Sequence, residues 1–269
     1  MHSFAGITAL VTGASKGLGR AYARELARRG ADLVLVARTT AALEELAAEV
    51  RTAHGVRAEV IGVDLADPAG PEFLLATVAE RGLQVDLLVN NAGSGSAGRF
   101  FERPFGQSTR SVALNVGALM ELTYLFGREM AARGAGGIIN VGSTAAFQPM
   151  PYQASYAATK AFVLSFTEAV AEEQRGTGVH VMAAHPGATD TGFFDGTTAT
   201  MDPRATDSPE SVAVRTLDDF ARGRVASYPG RPANRLATLV ARVMPRRAVT
   251  GAVAALNRKL GLDAVTDLP

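Results

Sequence analysis

Six short apolar runs, each parted from the next by a stretch of helical periodicity, decide most of what this 269-residue chain can fold into. ITALVTG (7–13), DLVLVAR (32–38), AEVIGVDL (58–65), DLLVNNAG (86–93), GGIINVGS (136–143) and VHVMAAHPG (179–187) have the length and near-continuous apolarity of strands covered on both faces. Between the first runs, apolar residues recur at helical intervals: Leu18, Tyr22 and Leu26 ahead of Gly30, then Leu43, Leu46, Ala47 and Val50. Asp67–Pro68 reads as the start of a third helix, the carboxylate accepting orphan N–H groups and the proline losing nothing at the first helical position. Long helices are expected over about 108–133 and 153–174.

Parallel neighbours need crossovers, and the crossover helices cover the sheet. With a short edge strand at 224–228, the expectation is a Rossmann-like α/β fold: a doubly wound, mostly parallel seven-stranded sheet flanked by helices on both faces. No linker divides residues 1–269, so one domain is expected. A helix is expected at 209–222, and two more, around 232–244 and 247–260, form a C-terminal extension. Residues 188–209, rich in Thr, Asp, Gly and Pro, break the rhythm and read equally as a flexible lid or a plain surface excursion.

Composition narrows the function classes. Lysine and arginine total 27 against 26 acidic residues, and a net charge of +1 gives no reason to expect nucleic acid. Cysteine is absent, which removes disulfides and thiolate metal sites and suits a reducing compartment. No apolar run has the length of a membrane span, and MHSFAGITALVTG reads as a first strand rather than a signal peptide, so a cytoplasmic protein is expected. His2, His54, His180 and His185 have no metal-ligand spacing, and no metal is expected. MPRRAVTGAVAALNRK (244–259) is basic and partly amphipathic; a packing helix with a charged solvent face is favoured over contact with acidic lipid.

TGASKGLG (12–19) lies between the first strand and the first helix. There Gly13 permits the tight turn, Gly17 lets backbone approach a phosphate, and Gly19 lets helix and strand pack closely. The helix N-terminus then offers free N–H groups to a pyrophosphate. A site selective for NAD commonly carries an acid at the end of the second strand; here the strand ends in Ala37–Arg38. Arg38 can grip a 2′-phosphate and Lys16 can add a second positive charge. Each alone reads also as a solvated cation; together they favour NADP(H). Asp64, after the third strand, suits either the adenine amino group or a turn.

Tyr156 and Lys160 are one helical turn apart on one face. A free tyrosine titrates near 10, and a neighbouring ammonium would lower that value. Such a tyrosine can protonate a carbonyl oxygen as hydride reaches the carbon, with Ser143 at a strand end donating a second hydrogen bond. Tyr152 has no lysine four places on and is not the expected acid.

Together, TGASKGLG (12–19), Asp64, NNAG (90–93), Asn115, Ser143, YAATK (156–160) and PGATDT (186–191) stand in an order and at separations that resemble the short-chain dehydrogenases/reductases of the NADP-preferring type, over roughly residues 5–260. The resemblance implies Tyr156 as acid/base, Lys160 on the nicotinamide ribose, Ser143 positioning the substrate oxygen, and Asn115 holding a water in a proton relay. It implies a cofactor site of Gly13, Ser15, Lys16, Gly17, Leu18, Gly19, Arg38, Asp64, Leu65, Asn91, Ala92, Gly93, Pro186, Gly187, Thr189 and Thr191, together with Tyr156 and Lys160. It also implies a homodimer or homotetramer built partly through the two long helices.

The substrate walls are expected at Ser94, Phe147, Met150, Tyr152, Phe193 and Phe194, a largely apolar set. They suit a ketone, aldehyde or secondary alcohol on an apolar skeleton. A 3-oxoacyl thioester reductase is the alternative within the resemblance, and a non-catalytic NADP-binding sensor or scaffold is the alternative of another class.

Overall fold

The computed structural model describes residues 3–192, 197–198 and 206–266. Seven parallel strands form one sheet: β1 (Thr8–Thr12), β2 (Asp32–Ala37), β3 (Ala58–Gly62), β4 (Leu87–Asn90), β5 (Gly136–Val141), β6 (Val179–Ala184) and β7 (Ala226–Ser227). Their spatial order is β3-β2-β1-β4-β5-β6-β7. The order reverses between β1 and β4, and a crevice opens beyond their carboxyl ends, where ligands of such sheets bind.

Alternate residues of each strand serve different cores. Val11, Leu33, Leu35, Val89, Val141 and Met182 meet α1 (Gly17–Arg28), α2 (Thr40–His54) and α7 (Pro209–Ala221) on one side. Leu10, Val34, Val36, Leu88, Ile138 and Val181 meet α3 (Gly70–Glu80) and α5 (Leu119–Ala132) on the other, with residues 170 and 171 of α6 (Ala154–Glu173) packed against them.

Three elements depart from the sequence expectation. Asp67 does accept a backbone N–H, but from Ala69 at 2.9 Å in a turn. The helix begins later, at Gly70, with Pro71 rather than Pro68 in its first turn. The helix expected from about 108 begins just after Pro104, as α4 (Phe105–Val112), and passes through a π-helical segment, Ala113–Ala118, into α5. The edge strand shrinks to two residues, and Pro229, lacking an N–H, bars its extension at the carboxyl end. The C-terminal extension forms α8 (Pro232–Val243) and α9 (Arg246–Lys259).

Candidate active site and cofactor cleft

A cleft of about 730 Å³ runs along the carboxyl ends of the strands, within the range of small-molecule sites, ~300–1,000 Å³. Every one of the cofactor-site residues expected from sequence lines it. The turn after β1 is shaped for close approach. Gly17 has φ +54°, and a Cβ there would lie 2.8 Å from the Thr191 Cβ, so a side chain would fill the space between the two rims. Thr12 ties the turn to β4: its hydroxyl accepts the N–H groups of Asn91 and Ala92, each at 3.0 Å, while Asn91 Nδ2 donates to the Thr12 carbonyl at 2.9 Å. Lys16 Nζ reaches across to the Gly192 carbonyl at 3.0 Å, linking the turn to the loop after β6.

Arg38 directly follows β2 on the cleft wall, with its charge acting on Asp64. Burial alone would raise the Asp64 carboxyl. Hydrogen bonds from Arg110 and the Ala66 N–H, with the charges of Arg110 and Arg38, outweigh it and hold the group below its usual range. Arg110 lines the cleft from α4 and was not expected from sequence; Asp64 and Arg110 are 46 residues apart, and no local pattern announces their pairing.

The end of the cleft that holds Ser143, Tyr156 and Lys160 is built by β5, the turn after it, α6 and the π-helical segment. Ser143 caps the Thr144–Phe147 turn, its Oγ accepting the Ala145 N–H at 3.1 Å. It also hydrogen-bonds the Tyr156 hydroxyl. Burial raises the Tyr156 pKa, and the Ser143 bond draws it partly back. The lowering expected from Lys160 is not what this geometry produces. Lys160 Nζ lies 5.9 Å from the tyrosine ring centroid and donates to the Val141 carbonyl at 2.7 Å. Burial itself lowers the lysine to about 8.

Asn115 is fully buried in the π-helical segment. Its Oδ1 accepts the Ser94 N–H at 2.9 Å, and its Nδ2 is within bonding distance of the Ser94 carbonyl (2.7 Å), Thr159 Oγ1 (3.0 Å) and Ser111 Oγ (3.2 Å). It thus holds the backbone that follows NNAG. Thr159 and Ser111, missed by sequence reasoning, complete this network.

Of the expected substrate walls, Ser94 and Met150 line the cleft. Phe147 and Met150 line an adjoining apolar hollow of about 600 Å³ that shares Gln148 and Met150 with it. Tyr152 lines neither. Its backbone adopts φ +71°, its ring packs on Ala97, Leu262 and Val265, and its hydroxyl accepts from Arg258 at 3.3 Å. The chain reversal before α6 turns the ring toward the C-terminal segment. Phe193 and Phe194 lie outside the described residues.

Comparison with known proteins agrees with this architecture. The model of the short chain dehydrogenase family matches residues 7–202. The probable oxidoreductase EphD of Mycobacterium tuberculosis is 36% identical over 183 residues, 67% of this chain, which spans only 31% of that protein's length. Among solved structures, a short-chain dehydrogenase from Sphingobium yanoikuyae in complex with NADPH is 34% identical, with a TM-score of 0.78 over 87% of this chain and 92% of that one. The bulky-bulky ketone specific alcohol dehydrogenase from Comamonas testosteroni is 32% identical, with a TM-score of 0.76 over 87% of this chain and 90% of its own. With its sheet order, its glycine turn and its Ser143–Tyr156–Lys160 cluster, the chain belongs to the short-chain dehydrogenase family.

Proposed function

We propose that the protein is an NADP(H)-dependent oxidoreductase that moves a hydride between the nicotinamide and a carbonyl or secondary alcohol on a mainly apolar substrate. The observation that carries this reading is the Tyr156 hydroxyl, hydrogen-bonded by Ser143 on the cleft wall, with the Lys160 chain buried one turn away. The NADPH complex and the ketone-specific alcohol dehydrogenase among its structural neighbours support the cofactor and the substrate class.

The residues fit the dinucleotide. The space that a side chain at residue 17 would occupy is left open, and the N-terminus of α1 faces the cleft. Arg38 and Lys16 would hold the 2′-phosphate side, Asn91 to Gly93 the floor, and Pro186 to Thr191 the far rim. When bound, the cofactor supplies or accepts the hydride.

The protein's own groups handle the proton. Tyr156 is protonated at neutral pH and carries the proton that the carbonyl oxygen takes as negative charge grows there; burial makes it a weaker donor, and the Ser143 hydrogen bond offsets part of that. Ser143 donates to the same oxygen and fixes its position. In the oxidative direction Tyr156 accepts the alcohol proton, and the Ser143 hydrogen bond is what favours its phenolate in this geometry. We assign the protein to a homodimer or homotetramer; exposed Val112, Met120 and Tyr124 along α4 and α5 support that assembly.

The test follows absorbance of NADPH and NADH separately against apolar ketones, aldehydes and acyl thioesters, with Tyr156→Phe in parallel. The expected result is NADPH consumption that falls by at least about a hundredfold in the variant. An unimpaired variant would remove Tyr156 from its role, and a preference for NADH would remove Arg38 and Lys16 from theirs.

A further inference from the structure

Charge is segregated along this chain. Residues 220–262 hold nine of the 27 basic residues and none of the 26 acidic ones, so this segment carries +9 and the remainder −8. The segment contains α8 and α9, which follow β7.

The first of these helices is inverted relative to an ordinary surface helix. Leu236, Leu239, Val240 and Val243 are spaced i, i+3, i+4, i+7 and share one face. That face points to solvent: Leu236 is 62% exposed and Val243 83%, while the buried residue of the helix is Thr238, on the opposite side. Its inner side is held by specific contacts. Asn234 Nδ2 donates to Asp207 at 3.0 Å, and the Arg242 guanidinium lies 5.0 Å over the Phe147 ring. The helix is therefore fixed with its apolar side outward. Met244, also exposed, extends the apolar strip, and Arg246 and Arg247 follow directly.

We propose that this face of α8, with Arg246 and Arg247, docks on the surface of a membrane that carries anionic lipid. An apolar strip flanked by arginines suits the boundary between acyl chains and acidic headgroups. Charge complementarity favours lipid over a second copy of the chain, since two such faces meeting would bring Arg246 and Arg247 of one copy against those of the other, with no acidic residue between 220 and 262 to answer them. The helix lies in the plane of the interface and does not span it; no helix of the described residues is long and apolar enough to cross a membrane. Because the inner side of α8 touches Phe147 and lies against Gly187 on the cleft rim, docking brings the substrate end of the cleft beside the bilayer, the medium in which apolar carbonyl compounds dissolve. The docking itself does not depend on the proposed reaction.

The experiment is sedimentation of the full chain with vesicles of phosphatidylcholine alone and with about one-third phosphatidylglycerol, at about 0.1 M and 0.5 M salt. Two variants accompany it: Leu236→Asp/Val243→Asp, which changes only exposed positions, and Arg246→Glu/Arg247→Glu. Thermal melting monitors folding of each. The wild-type chain is expected to sediment with the anionic vesicles, to be released by salt, and to leave the zwitterionic vesicles unbound. Each variant, folded as the wild type, is expected to lose vesicle affinity on the order of a hundredfold. Equal binding to both vesicle types, or variants that bind like wild type, would overturn the proposal. So would light scattering that shows the Leu236→Asp/Val243→Asp particle reduced in size while vesicle binding persists, since the face would then join two copies.

Discussion

One guanidinium nitrogen of Arg110 reaches both carboxylate oxygens of Asp64, at 2.8 and 2.6 Å. The pair bridges the loop after β3 and helix α4, and its two side chains remain 41% and 39% exposed. Exposed pairs of this kind contribute about 0–1 kcal/mol. Arg110→Met is therefore expected to shift the melting temperature by less than roughly 3 °C and to raise the NADPH dissociation constant by no more than about fivefold. Fluorescence titration with NADPH measures the second effect. A loss of fifty-fold or more would mean that Arg110 touches the cofactor itself rather than steadying Asp64.

Asn115 makes a different case because its partners are buried. Asn115→Ala removes the acceptor for the Ser94 N–H and one of the two donors to its carbonyl, Ser111 Oγ being the other, and leaves the buried Thr159 and Ser111 hydroxyls without that partner. Unsatisfied buried groups cost ~1–3 kcal/mol each, so the chain should lose about 2–3 kcal/mol, a melting shift of roughly 5–10 °C. Turnover should fall more than NADPH affinity if Tyr156 acts as proposed, since Ser94 lines the same cleft as Ser143 and Tyr156. Calorimetry and steady-state kinetics separate the two effects; an unchanged melting temperature would show that the loop holds itself.

A Cβ at residue 19 would lie 2.2 Å from the Gly13 carbonyl oxygen and 2.6 Å from Asn91 Nδ2. The obstacle is largely backbone, so Gly19→Ala cannot be absorbed by a rotamer change. Overpacking of this type costs ~1–3 kcal/mol, and the displaced turn should weaken NADPH binding by at least about tenfold. Equilibrium dialysis with NADPH checks this. Wild-type affinity would show that the turn can shift without consequence.

The fourth expectation concerns acid. His185 is fully buried with its ring centroid 5.1 Å from that of Phe147 and 5.5 Å from that of Tyr228, and burial pushes it down to about 4. Contact with the Ser143 backbone opposes the shift, while the charges of Lys160 and Arg242 add to it. The unfolded chain, with histidine near 6.5, binds more protons than the folded one between pH 4 and 6.5. Stability is therefore lost as pH falls through that window and regained above it, by about 2 kcal/mol at pH 5 from this residue. Replacement His185→Leu keeps the volume and removes the titration. Its melting temperature should fall less between pH 7 and pH 5 than that of wild type; an equal fall would assign the acid sensitivity to carboxylates alone.

The strands and the grouping of Ser143, Tyr156 and Lys160 were legible because their signals are local or fixed in spacing. Buried parallel strands are unbroken apolar runs, and Tyr156 with Lys160 is one turn of helix; the same holds for Ser143 at the end of β5. What escaped depends on tertiary facts. Nothing near Asp64 in sequence points to Arg110. The π-helical segment at Ala113–Ala118 carries no composition that sets it apart from α-helix, and the outward side of α8 is set by what the sheet leaves uncovered. Tyr152 sits four residues before Tyr156, yet its positive φ turns it toward Leu262. The effect of Lys160 on Tyr156 was expected from charge alone, and burial proved the larger influence on both.

The π-helical segment also gives the rod from Phe105 to Ala132 two registers. One extra residue within a turn advances the helical phase by about 100°. Before the slip the rod leans on α6, which carries Tyr156 and Lys160; after it, the rod leans on β4, β5 and α3. Asn115 sits at the slip itself. Deleting a single residue there would restore uninterrupted α-helical hydrogen bonding along the rod and still rotate one half away from its neighbour. A locally more regular helix would thus uncouple α6 from the sheet that positions it.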